Sequence, residues 1–325
     1  MTISAIVCRQ HGPPEVMQLE QVPRPEPGPG QVLIQAEAIG VNFVDTMRRS
    51  GRHPAAPPTP FTPGIEVCGR IVQTGPGVER FAVGERVIGR TVTGGAYAQM
   101  VVAEACFTVP CAESIPATTA AAIFVNGQTA WHALHTVGQL QPTDAVLVTA
   151  AAGGVGTWAV QLAARAGAKV IAAAGSAEKC ELARQLGAQV AVNYREPDWH
   201  QHVLDATAGK GADLIIESVG GEVGQGCLRC WATGGRLVVY GEASGTPINI
   251  PGDVLLFGNR AAFGLAVGMV IQNESLMRQA MDELYAAVEA GLQVPIGGTY
   301  PLADAARAHA DLESRRTRGK LILLP

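Results

Sequence analysis

Apolar and polar positions follow two different rhythms along this chain. Through residues 1–110 the apolar runs are short. Val32–Ile39 alternates with period two, and Val67–Val72 and Glu85–Ile88 are brief and rich in β-branched residues. Gly-Pro punctuation separates them at Pro23–Gly30, Pro54–Pro63 and Gly75–Gly77. Many short strands between tight turns predict a barrel-like, all-β region.

The rhythm changes after Ala145. Ala145–Thr149 reads as a buried strand, Thr157–Ala166 as a helix closed by Gly167, and Lys169–Ala172 as the next strand. Ser176 caps a helix over Ala177–Leu186, closed by Gly187, and Val190–Tyr194 is a third strand. Helices near Trp199–Ala206 and Val223–Trp231 lead to strands Asp213–Ser218 and Arg236–Tyr240. Strands alternating with helices predict a doubly wound parallel sheet, an α/β region of Rossmann type. Ala261–Val267 offers a sixth, buried strand. The helix Glu274–Ala290 follows, and the strand-like Lys320–Leu324 points the tail back to the first region.

The turn Thr149–Thr157, TAAAGGVGT, lies between the first strand and helix of that parallel sheet. It approximates G-x-G-x-x-G with Ala151 in the first glycine position and Gly153 and Gly156 in the others. Such a turn lets the backbone approach a pyrophosphate and packs the helix onto the strand, and the helix N-terminus presents free N–H groups. The plain alternative is a tight βα turn with no ligand. Alanine is tolerated at position 151 if its φ is negative.

NAD-binding chains offer an acidic residue about 20 residues further on, for the ribose 2′-hydroxyl. Here the segment reads Ala172–Lys179, AAAGSAEK, with no acid at Ala174 or Gly175. Ser176 and Lys179 suit a 2′-phosphate instead, which favours NADP(H). Ser176 is equally a plain N-cap and Lys179 a surface lysine, and a capped helix start can also hold phosphate. Glu178 is expected to point elsewhere on the helix.

Composition narrows the classes. With 47% hydrophobic and 16% charged residues the chain is globular, and 325 residues suffice for two domains. The net charge of −4 gives no basic footprint for nucleic acid. The apolar run in MTISAIVCRQHGPP is too short for a signal peptide, and Ala261–Ile271 falls short of the ~20 residues a membrane span needs. A cytoplasmic location follows by default. The seven cysteines are odd in number and argue against a disulfide framework. Cys227-x-x-Cys230 reads as two buried small side chains, or as an isolated redox or zinc pair.

The order His11–Val16, Gly40–Asp45 (GVNFVD), Pro63–Gly69 (PGIEVCG), Gly94–Ala98 (GGAYA), Thr129–Trp131, Ala150–Gly156, Leu312–Arg315 and Gly319-Lys320 resembles the medium-chain dehydrogenase/reductase superfamily. Within it the chain is most similar to the zinc-free, zeta-crystallin-like quinone oxidoreductases. The resemblance implies a GroES-like β-barrel catalytic domain over 1–123 and 267–325 and a Rossmann NADP(H)-binding domain over 124–266, with the active-site cleft between them. It also implies a homodimer, for which a strand in Ala261–Val267 at the sheet edge is the candidate to pair with its copy across a two-fold axis.

Against the zinc enzymes of the superfamily, Asn42 stands at the first cysteine ligand and Ile65 at the histidine of Gly-His-Glu. Ile123–Thr129 holds no ligand, and the four-cysteine structural loop is absent. Zinc needs three or four N, S or carboxylate donors, so no metal is expected. Without a Lewis acid, the expected chemistry is hydride transfer from NADPH to a quinone or similar conjugated carbonyl. The alternative enzymatic reading is an alkenal, enone or enoyl-thioester double-bond reductase. A reading of another class is an NADPH-binding structural or RNA-binding, crystallin-like protein.

The resemblance places the cofactor along Ala152, Gly153, Gly154, Val155 and Gly156, with Ser176 and Lys179 at the 2′-phosphate. Tyr194 covers the adenine and Arg315 assists the phosphate. Asn42, Thr129 and Gly241 lie on the nicotinamide side, and Asn42 and Thr129 are the catalytic candidates. The alternative role for Asn42 is to stabilise a turn. Met47, where relatives often carry tyrosine, and Val125 line the expected substrate pocket. Asp45 and Glu66 are expected to be structural hydrogen-bonders.

Overall fold

A computed structural model describes all residues, Met1–Pro325. The fifteen strands are β1 (Thr2–Cys8), β2 (Met17–Pro23), β3 (Gln31–Val41), β4 (Glu66–Thr74), β5 (Arg86–Arg90), β6 (Met100–Glu104), β7 (Thr108–Pro110), β8 (Ala145–Val148), β9 (Lys169–Ala174), β10 (Val190–Asn193), β11 (Ala212–Glu217), β12 (Trp231–Val239), β13 (Ala261–Gly264), β14 (Ile296–Pro301) and β15 (Lys320–Leu324). The chain divides into two compact units, Met1–Val125 with Pro295–Pro325, and Asn126–Val294.

In the first unit β14-β15-β3-β4-β5-β7 form one sheet, with β6 on β3 and a separate β1–β2 hairpin. Period-two alternation explains its core. Val32, Ile34 and Ala36 of β3 share one buried cluster with Val67 and Ile71 of β4, Val87 of β5, and Val101 and Ala103 of β6. Opposite residues in β4 and β5 face away from that cluster, which is how Glu66 and Arg90 come to be directly paired. The tail returns through β15, which pairs antiparallel with β3. That strand carries Lys320 to a buried position.

In the second unit six strands run parallel in the order β10-β9-β8-β11-β12-β13. The order reverses between β8 and β11, the switch point where open α/β sheets place their ligands. Leu147, Ile171, Ile215 and Leu237 run through one core cluster, together with Cys227 and Cys230. Both cysteines are free and buried. No helix is long and apolar enough to cross a membrane.

Two expectations need correction. The boundary expected at 267 falls at 295. The helix Glu274–Glu289 buries Met277, Ala280, Met281 and Leu284, and it packs within the second unit. Gln128 Nε2 donates to the Met277 carbonyl at 2.7 Å, and a Cβ on Gly127 would lie 2.9 Å from Leu284. Nor is Ala261–Val267 a buried strand. β13 ends at Gly264 on the sheet edge, and Ala262, Phe263 and Gly264 are exposed.

Candidate functional site

The glycine turn sits at the end of β8, at the switch point. The residue forced into the left-handed region is Ala150 (φ +47°), and Ala151 is not. The tolerance expected of Ala151 therefore holds for a simple reason: the strained position lies one residue earlier. The Ala150 carbonyl accepts from Gly153 N–H at 2.8 Å. A Cβ on Gly156 would lie 2.3 Å from that carbonyl and 2.7 Å from Ala151 Cα, so only glycine fits there. Gly153 caps the twelve-residue helix Gly154–Arg165 without any side-chain hydrogen bond. The first N–H groups of this helix therefore lack a side-chain partner, and the dipole end is positive. Backbone geometry and sterics match a phosphate cradle.

The second βα turn brings three expected residues together. Ser176 caps the helix Ala177–Gln185, accepting from Lys179 N–H at 3.3 Å. A Cβ on Gly175 would lie 3.1 Å from the Tyr194 hydroxyl, so the ring stands over the end of β9. One expectation fails: Glu178 does not point elsewhere. Its carboxylate accepts from Ser176 Oγ at 3.1 Å. With no arginine or lysine bonded to it, the side chain folds back on the nearest hydroxyl donor.

A residue that sequence reasoning missed anchors the switch point. Glu217, fully buried at the end of β11, accepts from the N–H groups of Val219 (2.7 Å) and Gly220 (3.0 Å) and from Thr149 Oγ1 (3.4 Å). Burial raises its pKa, and these donors offset part of the rise. Gly241 follows β12, where a Cβ would lie 3.2 Å from the Ser218 carbonyl. Thr129 is buried in the helix Phe124–Trp131.

In the first unit Asn42 caps the helix Phe43–Arg49 and is 5% exposed. Its N–H donates to Asp45 Oδ2 at 2.9 Å. Lys320 Nζ donates to Asn42 Oδ1 at 2.6 Å and to Glu66 Oε2 at 2.7 Å. Glu66 Oε1 accepts from Val125 N–H at 2.8 Å. Asn42 Nδ2 makes only long bonds, 3.3 Å to Glu66 Oε2 and 3.4 Å to the Gly40 carbonyl. Lys320 therefore fixes the amide with its oxygen occupied and its N–H₂ the looser end. Met47, half-buried, lies on the same helix.

Behind Asn42 a chain of buried polar groups continues. Tyr97 donates to Asp45 Oδ2 at 3.2 Å and lies 2.9 Å from His309 Nε2. Arg49 lies 3.2 Å from His309 Nδ1 and is paired with Glu313 at 2.8 Å. Burial pushes Asp45 up to about 6. Burial, and secondarily the Arg49 charge, hold His309 down at about 3. Sequence reasoning expected Asp45 and Glu66 as structural hydrogen-bonders but gave no role to Lys320, Tyr97, Arg49 or His309. Its one signal was a lysine opening the apolar strand Lys320–Leu324. Arg315 is exposed in a left-handed conformation (φ +57°) in this same unit.

The family model for the alcohol dehydrogenase GroES-like domain matches residues 28–113, and that for zinc-binding dehydrogenases matches 154–286. A quinone oxidoreductase of Pseudomonas aeruginosa is 36% identical, with 97% of each chain covered. The chain belongs to the quinone oxidoreductase family of medium-chain dehydrogenases/reductases. This family member is equally similar to a 2-haloacrylate reductase of a Burkholderia species, 36% identical over 99% of each chain. Its fold matches the crystal structure of Escherichia coli quinone oxidoreductase complexed with NADPH, with a TM-score of 0.94 at 32% identity, covering 99% of this chain and 100% of the other. The GroES-like and Rossmann-type assignments are thereby established. The donor set does not fit the metal in the family model's name. Asn42 Oδ1 is taken by Lys320, position 65 is isoleucine, and no three His, Cys, Asp or Glu side chains are grouped as ligands.

Proposed function

We propose that this protein is an NADPH-dependent, zinc-independent oxidoreductase that delivers hydride to a quinone or similarly conjugated carbonyl. The observation that carries the reading is the Asn42 amide, held by Lys320 where a zinc dehydrogenase would need a thiolate. The uncapped glycine turn and the relative solved with NADPH support the cofactor. Once bound, NADPH supplies the hydride, and the protein supplies position and electrostatics.

The N–H groups after Gly153, along Ala152–Gly156, hold the pyrophosphate. Ser176 and Lys179 take the 2′-phosphate, Tyr194 covers the adenine, and Arg315 assists from the surface. Gly241 and Thr129 lie on the nicotinamide side. Asn42 Nδ2 donates to the nicotinamide amide or to the substrate oxygen. Met47 and Val125 keep the substrate pocket apolar. A reduced quinone takes its protons from water, so no protein acid is required.

A second reading, double-bond reduction, is supported by the similarity to the 2-haloacrylate reductase, although Met47 in place of a phenol removes the obvious donor for it. Turnover of a quinone panel against an enone panel under NADPH and NADH decides between the two. Oxidation of NADPH by neither panel would sink both and leave a crystallin-like binding role. NADH used as well as NADPH would overturn the role given to Ser176 and Lys179.

The protein acts in the cytoplasm as a homodimer in this reading. The free edge of β13, with Phe263 41% exposed and Leu256, Phe257 and Met269 exposed nearby in sequence, suits pairing with a second copy. Sedimentation of Phe263→Lys should show a monomer, and an unchanged dimer would refute the edge-strand interface.

A further inference from the structure

The glycine-turn pattern fixes positions 151, 153 and 156 and leaves 154 open, yet position 154 is glycine as well. Gly154 opens the helix Gly154–Arg165 and has no left-handed φ, so its backbone conformation does not call for glycine. The reason is a neighbour. A Cβ on Gly154 would overlap Asn126 Nδ2, and it would lie 3.1 Å from Asn126 Cγ and 3.6 Å from Oδ1. The amide of Asn126 therefore fills the space a side chain would take at the first residue of the helix, nitrogen foremost. Asn126 is 5% exposed.

The helix Phe124–Trp131 holds that amide in place. Gln128, two residues on, points about 200° away around the helix. It anchors that far side through its 2.7 Å bond to the Met277 carbonyl. Thr129 follows Asn126 by three residues and shares its face. Both faces of this contact, Asn126 and Gly154, belong to the second unit.

The surroundings of Asn126 Nδ2 are donors. The start of a helix leaves its first N–H groups without intrahelical acceptors, and its dipole end is positive. An acceptor is the ordinary side-chain neighbour of such an end. A donor turned towards it suits an anion that the amide and the backbone N–H groups share.

We propose that Asn126 is a pyrophosphate-binding residue of the cofactor site: its Nδ2 donates to a phosphate oxygen lying on the start of the helix Gly154–Arg165, and Gly154 is glycine so that the amide can reach. The inference rests on the placement of NADPH at the glycine turn given above and adds a side chain to it.

Dissociation constants for NADPH, NADH and 2′-AMP, read by fluorescence titration and competition, test the proposal. The last ligand carries the adenine and the 2′-phosphate but no pyrophosphate. Asn126→Ala should weaken NADPH and NADH by the same factor, about tenfold, the order of one hydrogen bond to a charged group. Binding of 2′-AMP should stay at wild-type strength, which also reports that the variant is folded. Asn126→Asp keeps the shape and puts a negative charge where the donor was, so both dinucleotides should weaken further than in the alanine variant. Gly154→Ala meets the end of a side chain rather than backbone, so it should push the amide aside and match Asn126→Ala. Combining the two alanines should weaken binding no more than either alone. Wild-type dinucleotide affinity in both Asn126 variants, with a loss in Gly156→Ala, would overturn the proposal and leave the cofactor placement standing. Wild-type affinity in the combined variant would reduce Asn126 to a packing neighbour of Gly154, and an equal loss for 2′-AMP would make it a structural residue; either result overturns the proposal. No loss in Gly156→Ala or in any Asn126 variant would remove the placement at the turn as well.

Discussion

The two units build their polar sites by opposite means. In the second unit the glycine turn is local: Ala150, Gly153 and Gly156 lie within seven residues, and its features are backbone N–H groups and steric limits. In the first unit the cluster around Asn42 is made of side chains from distant parts of the chain. Asn42 and Glu66 are 24 residues apart, and Asn42 and Lys320 are 278 apart. A backbone site tolerates almost any side chain that fits, whereas a buried ionic site is sensitive to the loss of each partner.

The largest effect should come from breaking the ionic site. Glu66→Ala leaves Lys320 charged and buried and strips Val125 N–H of its acceptor. A loss of about 3–5 kcal/mol in urea unfolding is expected. A loss below about 1 kcal/mol would show the cluster to be energetically idle.

Gly156→Ala attacks the backbone site. Its Cβ meets backbone atoms that cannot swing away, so about 1–3 kcal/mol of stability should be lost. NADPH affinity should fall with it, read by fluorescence titration. Wild-type affinity in the variant would separate the turn from phosphate binding.

Acid should weaken the first unit through groups with opposing signs. His309 stays neutral in the folded state down to about 3, so the unfolded chain binds more protons as pH falls below its ordinary value near 6.5. Each such group removes about 1.4 kcal/mol per pH unit within that window. Asp45, raised to about 6, holds a proton that the unfolded chain has lost, so its contribution grows as pH falls from about 6 towards 4. Asp45→Asn removes that offset. Its urea midpoint should fall more steeply between pH 6 and 4.5 than that of wild type. Parallel curves would contradict the assignment.

The smallest effect belongs to the second turn. Glu178 sits on Ser176, where a 2′-phosphate would meet a like charge. Glu178→Gln should tighten NADPH by about fivefold, the order of 1 kcal/mol for two charges about 4 Å apart in water, and leave NADH unchanged. Equal gains for both cofactors would place the 2′-phosphate elsewhere.

The glycine turn, the acid-free Ala174–Ser176 and the two strand rhythms could be read directly, because each is a relation among neighbours. Misreadings arose where tertiary packing overrode local pattern. The apolar text after Ala261 looked buried, yet β13 is the last strand of its sheet and nothing covers it. The helix Glu274–Glu289 looked like part of the returning tail, yet its apolar face belongs to the second unit.

The amino-acid order by itself determined the two-unit plan, the place of the glycine turn and the absence of zinc-ligand residues at positions 42 and 65. Periodicity, steric size and donor chemistry are properties of residues and their immediate neighbours. Only the tertiary structure decided that Lys320 holds Asn42 and that Glu217 ties β8 to β11. Charge pairing across β-sheet register depends on which strands meet, and that is settled by burial of the whole core.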